Sequence, residues 1–482
     1  MMKATKVKEI RQEKASTVLE ELVLSGHFGE AERLSETLPA ASVRVAALKA
    51  QVLIYKGQLE EAAEVLAPFE NKLTEASLSD AAEFGLARAE LAYWRGEYEE
   101  AERHAQVVYG IFSLNNDPVG LARSLYMLGR IKRRGGDFDR AKQYMLQALD
   151  YTSSLRGDQA DFLIGLIFFN LGAINHILGD FREAEADFLR AIELLKRVEG
   201  GRYYGLALSS YGALLNSKGH YEQAAQMLQS AYNCFTVNAC FDDLAHTTNN
   251  LAYSYIRMGQ FDKATKLLDE SLELRRRSKD IAGEAATLEL IGRLRFEQGK
   301  LEDAEKALKQ AIEVAELADN PSEKAVALIT LGRVVMAKRL FDDSQQALEE
   351  ALKLAIELKN KSLQAEAHTY LAELSVLRGN GMQALDHLKR AKNLINGYSD
   401  AYLLEQIDRI EKLVQAEKVR TEEGIFIIKG SFLPTWREAH ESLGRFLLTE
   451  ALKHAGENQT RAAELLGVTK AYITMLRKKY GV

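Results

Sequence analysis

Gly259-Gln-Phe-Asp-Lys-Ala264 is one copy of the pattern that decides how this chain folds: glycine, any residue, an aromatic, an acid, any residue, alanine. Upstream it returns as Gly26-His-Phe-Gly-Glu-Ala31, Gly57-Gln-Leu-Glu-Glu-Ala62, Gly96-Glu-Tyr-Glu-Glu-Ala101, Gly136-Asp-Phe-Asp-Arg-Ala141, Gly179-Asp-Phe-Arg-Glu-Ala184 and Gly219-His-Tyr-Glu-Gln-Ala224. Downstream stand Gly299-Lys-Leu-Glu-Asp-Ala304 and two weaker copies, Arg339-Leu-Phe-Asp-Asp-Ser344 and Gly379-Asn-Gly-Met-Gln-Ala384. From Gly179 onward the step is 40 residues, and ten units are counted in all. Self-similarity at such a period is the signature of a stacked repeat array.

Each unit has a physical grammar. Glycine makes a turn, because it takes positive φ without steric cost. Seven residues before it stands a small residue, Gly129, Gly172, Gly212, Ala252, Gly292, Gly332 or Ala372, which lets two helices approach closely. The aromatic wedges between helices. The motif alanine, with another twelve residues after the glycine (Ala148, Ala191, Ala231, Ala311, Ala351, Ala391), makes a small-residue face on the second helix. Residues 10–397 thus resemble the tetratricopeptide repeat in a lengthened form. The resemblance implies an all-α fold, a right-handed superhelix of about ten helical hairpins over 1–397. The first two units, 31 residues apart, are the least regular, as befits a capping end.

Composition sets the bounds. The chain has 482 residues, 47% apolar and 27% charged, with net charge −6, as expected of a soluble folded protein. Only 5 prolines interrupt the helical pattern. Cys234 and Cys240 are spaced wrongly for a CxxC motif, so free thiols in a reducing cytoplasm are expected. No secretory leader follows the first methionines, and no apolar run suggests a membrane span, so no membrane partner is expected.

Beyond the array, 398–420 reads as one amphipathic capping helix with Leu403, Leu404, Ile407, Ile410, Leu413 and Val414 as its stripe. Residues 421–432 form a linker with a short strand at Ile425–Ile428, which either docks on its own chain or pairs with a second subunit; docking is the expectation. Pro434 suits the first turn of a helix running through Leu443, Phe446, Leu447, Ala451 and Leu452 to about Ala455. Gly467 ends the next helix, Thr469 caps the one after it, and Val468, Ile473 and Leu476 hold the crossing against small Ala463. From Thr469 to Val482 there are four bases and no acid.

On Leu447, Ala451, Leu452, Asn458-Gln-Thr-Arg-Ala-Ala-Glu-Leu-Leu-Gly-Val468 and Lys479-Tyr-Gly-Val482, the segment 433–482 resembles the Fis-type helix-turn-helix that closes many bacterial enhancer-binding activators. That resemblance implies duplex DNA as a partner. Its contact set would be Thr460, Arg461, Thr469, Lys470, Ala471, Tyr472, Thr474, Arg477, Lys478 and Lys479. Arg477 stands where the family usually has leucine, with Leu476 just before it, which leaves the register of base-facing residues open. The ATPase domain such activators carry is absent from this sequence.

No phosphate loop, HExxH motif or nucleophile elbow is present, so neither an enzyme, a cofactor nor a metal is expected. A groove is the better candidate. First helices of tetratricopeptide units line the concave face, and there Arg123, Arg130, Arg133, Arg257, Arg293 and Arg333 recur. His246-Thr-Thr-Asn-Asn-Leu-Ala-Tyr-Ser-Tyr255 is similar to the peptide-binding repeats of kinesin light chain, in which asparagines hold the ligand backbone. That similarity implies roles for Asn170 and Asn250, alongside His246, Asn249 and Tyr253. The arginines either capture carboxylates of a ligand or pair with acids on neighbouring helices.

The expectation is therefore a cytoplasmic bacterial regulator, nucleoid-associated when bound to DNA. Its array senses or recruits a protein or peptide, and its C-terminal module binds DNA as a homodimer. The alternative is a non-enzymatic scaffold or adaptor whose C-terminal module mediates protein contact or dimerisation.

Overall fold

A computed structural model describes residues 14–153, 155–198, 201–238, 240–395, 400–415, 419–421, 424–426 and 436–481. They fall into two compact units that interleave in sequence: residues to Leu374 with Asp386–Ile407, and Ser375–Leu385 with Asp408 onward. The first unit is a helical solenoid. A helix over 14–24 precedes Phe28–Thr37, and pairs follow in order, among them Leu78–Trp94 with Tyr98–Leu114, Pro118–Arg134 with Phe138–Thr152, Asp158–Leu178 with Phe181–Arg197 and Gly201–Ser217 with Tyr221–Val237. Next come Phe241–Arg257 with Phe261–Ser278, Ile281–Glu297 with Leu301–Leu317, Pro321–Ala337 with Phe341–Glu357, and the helices Lys361–Leu377 and Gly381–Leu394.

The motif explains the pairs. Gly136, Gly179, Gly219, Gly259 and Gly299 all take positive φ, between 70° and 86°, and the aromatic position is the first residue of each second helix. Arg339 holds the same turn at φ 63° without glycine's freedom. The close approach is equally plain. A methyl group added at Gly129, Gly172, Gly212, Gly292 or Gly332 would lie 2.5–2.7 Å from Met145, Phe188, Leu228, Leu308 or Leu348. The alanine faces are buried, and Ser344 keeps the geometry by donating to the Gly332 carbonyl at 2.9 Å. First helices begin where caps satisfy their free N–H groups: Asp117 ahead of Pro118, Asp280, and Asn320 ahead of Pro321. Of the motif aromatics Phe28 is buried, Phe138, Phe181, Tyr221, Phe261 and Phe341 are half-buried rather than full wedges, and Tyr98 is exposed.

Several expectations are corrected. The N-terminal end is not a plain cap. Phe28 stacks on Tyr55 with ring centroids 4.0 Å apart, and both meet Tyr203, with Phe162 beside Phe28, so the early helices touch the fifth and sixth pairs. One helix, Asp158–Leu178, is long and apolar enough to cross a membrane, with mean hydropathy 1.6 over its best window. Its apolar length is used inside the array, where Leu166, Ile167, Leu171 and Ile174 are buried. The capping helix is shorter than 398–420: it spans Ala401–Gln415, with Leu403, Ile407 and Ile410 buried but Leu404 and Leu413 exposed. A strand, Val419–Thr421, then pairs antiparallel with Gly424–Phe426 of the same chain. Residues 427, 428, 433 and 434 of the expected strand and helix start lie outside the described residues. Both cysteines are free and half-buried.

In the second unit, helices Trp436–His454, Gln459–Leu466 and Lys470–Tyr480 enclose Leu448, Leu452, Ala462, Ala463 and Ile473. Val468 and Leu476 pack at the edge of that core. Gly467 turns the corner at φ 62°, and the Thr469 hydroxyl accepts from the Tyr472 N–H at 3.2 Å. Asn458 caps the middle helix by accepting from the Thr460 and Arg461 N–H groups. Leu443, Phe446 and Leu447 are exposed rather than buried.

Candidate functional site

The array's first helices carry two clusters of the expected residues. Around the first, a cavity of about 480 Å³ is lined by Arg130, Arg133, Asn170, His246 and Asn250. Tyr93, Trp94, Arg134 and Arg202 join them, unforeseen from the repeat pattern. Arg130 does not face this space uncommitted. Both Glu90 oxygens accept from it at 2.7 and 2.8 Å, and it lies 4.1 Å from the Tyr93 ring centroid. Burial disfavours its charge, but Glu90 together with Tyr126, Tyr93 and Tyr203 outweighs that and holds the guanidinium well above its ordinary pKa. Arg123 likewise pairs with both oxygens of Glu83, and lines a smaller neighbouring cavity. Each of these pairs joins residues 40 positions apart, the same place in successive repeats. An acid one period upstream of an arginine was the signal available in the sequence.

Asp242 and Asp243 line the same cavity, but around Tyr93 the arginine charges gather. Arg133 Nε is buried without a hydrogen-bond partner. Burial and the neighbouring Arg134 and Arg130 charges lower its pKa, against an opposing pull from Tyr93. The Tyr93 phenol lies among these charges. Burial works to raise it, yet Arg130, Arg133 and Arg134 together pull it below its ordinary value. Asn170 donates to the Leu166 carbonyl at 3.0 Å, which leaves its buried Oδ1 unpartnered. The Oδ1 is thus an unused acceptor at this space, while one of the two amide N–H groups is spent on Leu166. Asn249 is corrected outright: it is buried between helices, hydrogen-bonded to Thr287 at 3.1 Å.

The second cluster joins Tyr253, Arg257, Arg293 and Arg333. Arg293 is held by Glu289 at 2.9 Å within its own helix. Arg257 and Arg333 instead surround Tyr402. Arg257 lies 4.1 Å from that ring's centroid, and Arg333 donates to the Tyr402 hydroxyl at 2.7 Å.

In the C-terminal unit, Thr460, Arg461, Thr469, Lys470, Ala471, Tyr472, Thr474, Lys478 and Lys479 are exposed. Arg477 is half-buried and faces Glu457 at 3.6 Å, while Leu476 fills the core-edge position beside it. Thr474 is committed to Gln459 and to the Lys470 carbonyl. Met475, which sequence reasoning passed over, is also exposed on this helix. Among the described residues no group of three or more His, Cys, Asp or Glu is placed to hold a metal ion.

The fold and its small-residue crossings define a helical-repeat protein. Models of the family described as tetratricopeptide repeat match residues 122–154, 163–236, 243–316 and 329–398, and the chain belongs to that family. No curated protein sequence matches it. Among solved structures, the apo form of RapI is similar at TM-score 0.55 and 15% identity, covering 73% of this chain and 97% of that one. The apo quorum sensor NprR from B. thuringiensis is similar at TM-score 0.55 and 16% identity, covering 73% and 99%. NprR in complex with its cognate peptide NprX is similar at TM-score 0.50 and 13% identity, covering 68% and 97%. At these identities the likeness is one of fold.

Proposed function

We propose that this chain is a non-enzymatic bacterial regulator whose repeat array takes a peptide or protein partner and whose C-terminal unit binds duplex DNA. It works in the cytoplasm, and at the nucleoid when DNA-bound. The observation that carries the reading is the helix Lys470–Tyr480, capped by Thr469 behind the Gly467 turn, with four bases and no acid. Such a helix meets the needs of the major groove: exposed polar residues near its start for base edges, and bases farther along for phosphates. Lys470 and Tyr472 are the base-edge candidates, while Lys478 and Lys479 are the phosphate contacts. The open cavity, with the positive field around Tyr93, supports a partner that presents carboxylates. The fold shared with a quorum sensor supports a peptide as that partner.

A second reading has its own observation. Leu443, Phe446 and Leu447 leave an apolar stripe exposed on one helix face. The stripe would suit a homodimer of the regulator, and equally an adaptor that uses this unit for protein contact. Gel retardation of sheared bacterial DNA by the full chain separates the two. The expected result is retardation that weakens for all sequences in Lys478→Ala/Lys479→Ala, with the salt dependence flattened by about one unit per lost phosphate contact. A folded dimer that retards no DNA at low salt would sink the regulator and leave the adaptor.

A further inference from the structure

The second arginine cluster is covered by the chain itself. Asp400 and the first turn of Ala401–Gln415 lie against first helices of the array, and Tyr402 is only 9% exposed. Its hydroxyl accepts from Arg333 Nη2 at 2.7 Å and meets the Tyr370 hydroxyl at 3.3 Å. Arg257 stacks on the same ring, and Glu405 reaches toward Arg257 at 3.9 Å. Asp400 joins the same electrostatic neighbourhood: burial raises its pKa, while Arg293 and Arg257 draw it down. An aromatic with an acid two residues before it and another three after thus occupies a row of arginines.

The cover leaves one demand unmet. Arg333 is 9% exposed, and its Nη1 is buried without a hydrogen-bond partner. Its nearest carboxylate, on Glu297, stands 4.0 Å away. A tyrosine hydroxyl gives a buried guanidinium one neutral acceptor, whereas a carboxylate gives two charged ones in matching geometry. Leaving a buried charged donor unsatisfied is costly, so the seated segment is an incomplete ligand for the pocket it fills.

We infer that Arg257, Arg293 and Arg333 form a peptide site for a tyrosine-bearing acidic ligand, that the chain's own Asp400–Glu405 holds this site as a surrogate, and that a ligand supplying a carboxylate to Arg333 displaces it. The inference rests on the array taking a peptide and is independent of DNA binding. Binding and release are then one exchange: the ligand gains Arg333 as Tyr402 loses it, so the ligand's apparent affinity is reduced by the fraction of chains in which the surrogate is seated.

The test uses the full chain and a fluorescein-labelled synthetic peptide of this chain's residues 398–407, ending in a free carboxylate, read by anisotropy. Tyr402→Ala should bind the probe at least tenfold more tightly than the unaltered chain, and adding Arg333→Gln should cancel that gain. Tyr402→Phe keeps the ring and removes only the hydroxyl; it should show a smaller gain, and it serves as the folded reference if Tyr402→Ala unfolds. Circular dichroism checks the fold of each. Folded Tyr402 variants that bind no better than the unaltered chain would overturn the proposal, as would a gain that survives Arg333→Gln. A failure of DNA retardation alone would reject the regulator and leave this result standing.

Discussion

The two arginine clusters of the array are built on one repeat plan and end in different states. In the first, Arg123 and Arg130 are neutralised by Glu83 and Glu90, each one period upstream, and a cavity of about 480 Å³ stays open beside Arg130. In the second, Arg333 has no carboxylate closer than 4.0 Å, and a segment from farther along the chain closes over it. A repeat sets where a side chain stands. Whether that side chain is satisfied depends on what the neighbouring copy carries at the same place, and of the two clusters it is the second, around Arg333, that carries a cover, while Arg133 in the first keeps an unpartnered Nε beside the open cavity.

The largest expected effect breaks the comparison at the first cluster. Arg130→Ala strands Glu90 and empties the space over the Tyr93 ring, and should cost about 3 kcal/mol or more of stability in chemical denaturation. Arg333→Ala removes no paired carboxylate's close partner: the Tyr402 hydroxyl keeps Tyr370, and Glu297 stands 4.0 Å away, so the change should cost less, about 1–2 kcal/mol. Equal losses would contradict the asymmetry described above. Acid sharpens the comparison next, since each half of the array buries a histidine. Burial pushes both His176 and His368 down to about 4, with the neighbouring His387 and Arg390 adding to the effect on His368. An unfolded imidazole takes its proton near pH 6.5, and the folded ones only near 4. Stability is therefore flat above about 6.5 and falls as pH drops through that window, by up to roughly 2 kcal/mol per histidine at pH 5. Thermal melts at pH 7.5 and 5 should show a smaller acid loss in His176→Asn and in His368→Asn, and a loss unchanged in both variants would rule out these groups. The smallest effect sits at Arg339, which takes the place of the motif glycine in its repeat. Arg339→Gly should stabilise by roughly 0.5–1 kcal/mol, because Arg339 holds φ 63°, where a Cβ is strained. A lowered melting temperature would show that the arginine side chain outweighs that strain.

The solenoid was legible because its determinants are local and repeated: a turn glycine, a small residue seven before it, and an alanine five after. The corner at Gly467 and the cap at Thr469 were legible for the same reason. The sites were less so. Asn249 and Asn250 are neighbours in sequence, yet one is buried against Thr287 and the other lines the cavity, a distinction set by helix phase rather than residue type. Tyr402 was hidden by distance. It lies 69 positions from Arg333 and off the repeat period, so no spacing in the array announced it. The contact of Tyr55 with Arg202, 147 positions apart, escaped for the same reason.

The bare glycine crossings, as at Gly212, Gly292 and Gly332, are nearly interchangeable from one step to the next. The buried polar links between successive first helices are not: Ser209 meets Thr247, Asn216 meets Ser254, Asn249 meets Thr287, and Thr330 meets Glu289. Excising residues 260–299 would keep the backbone rhythm intact and yet set Asn249 against Ala327, an amide against a methyl group. The links thus act as an address written into a uniform scaffold. Each repeat can sit on any other by shape, but recognises by hydrogen bonding the one that is meant to follow, which protects a near-periodic chain from folding with a module skipped or exchanged.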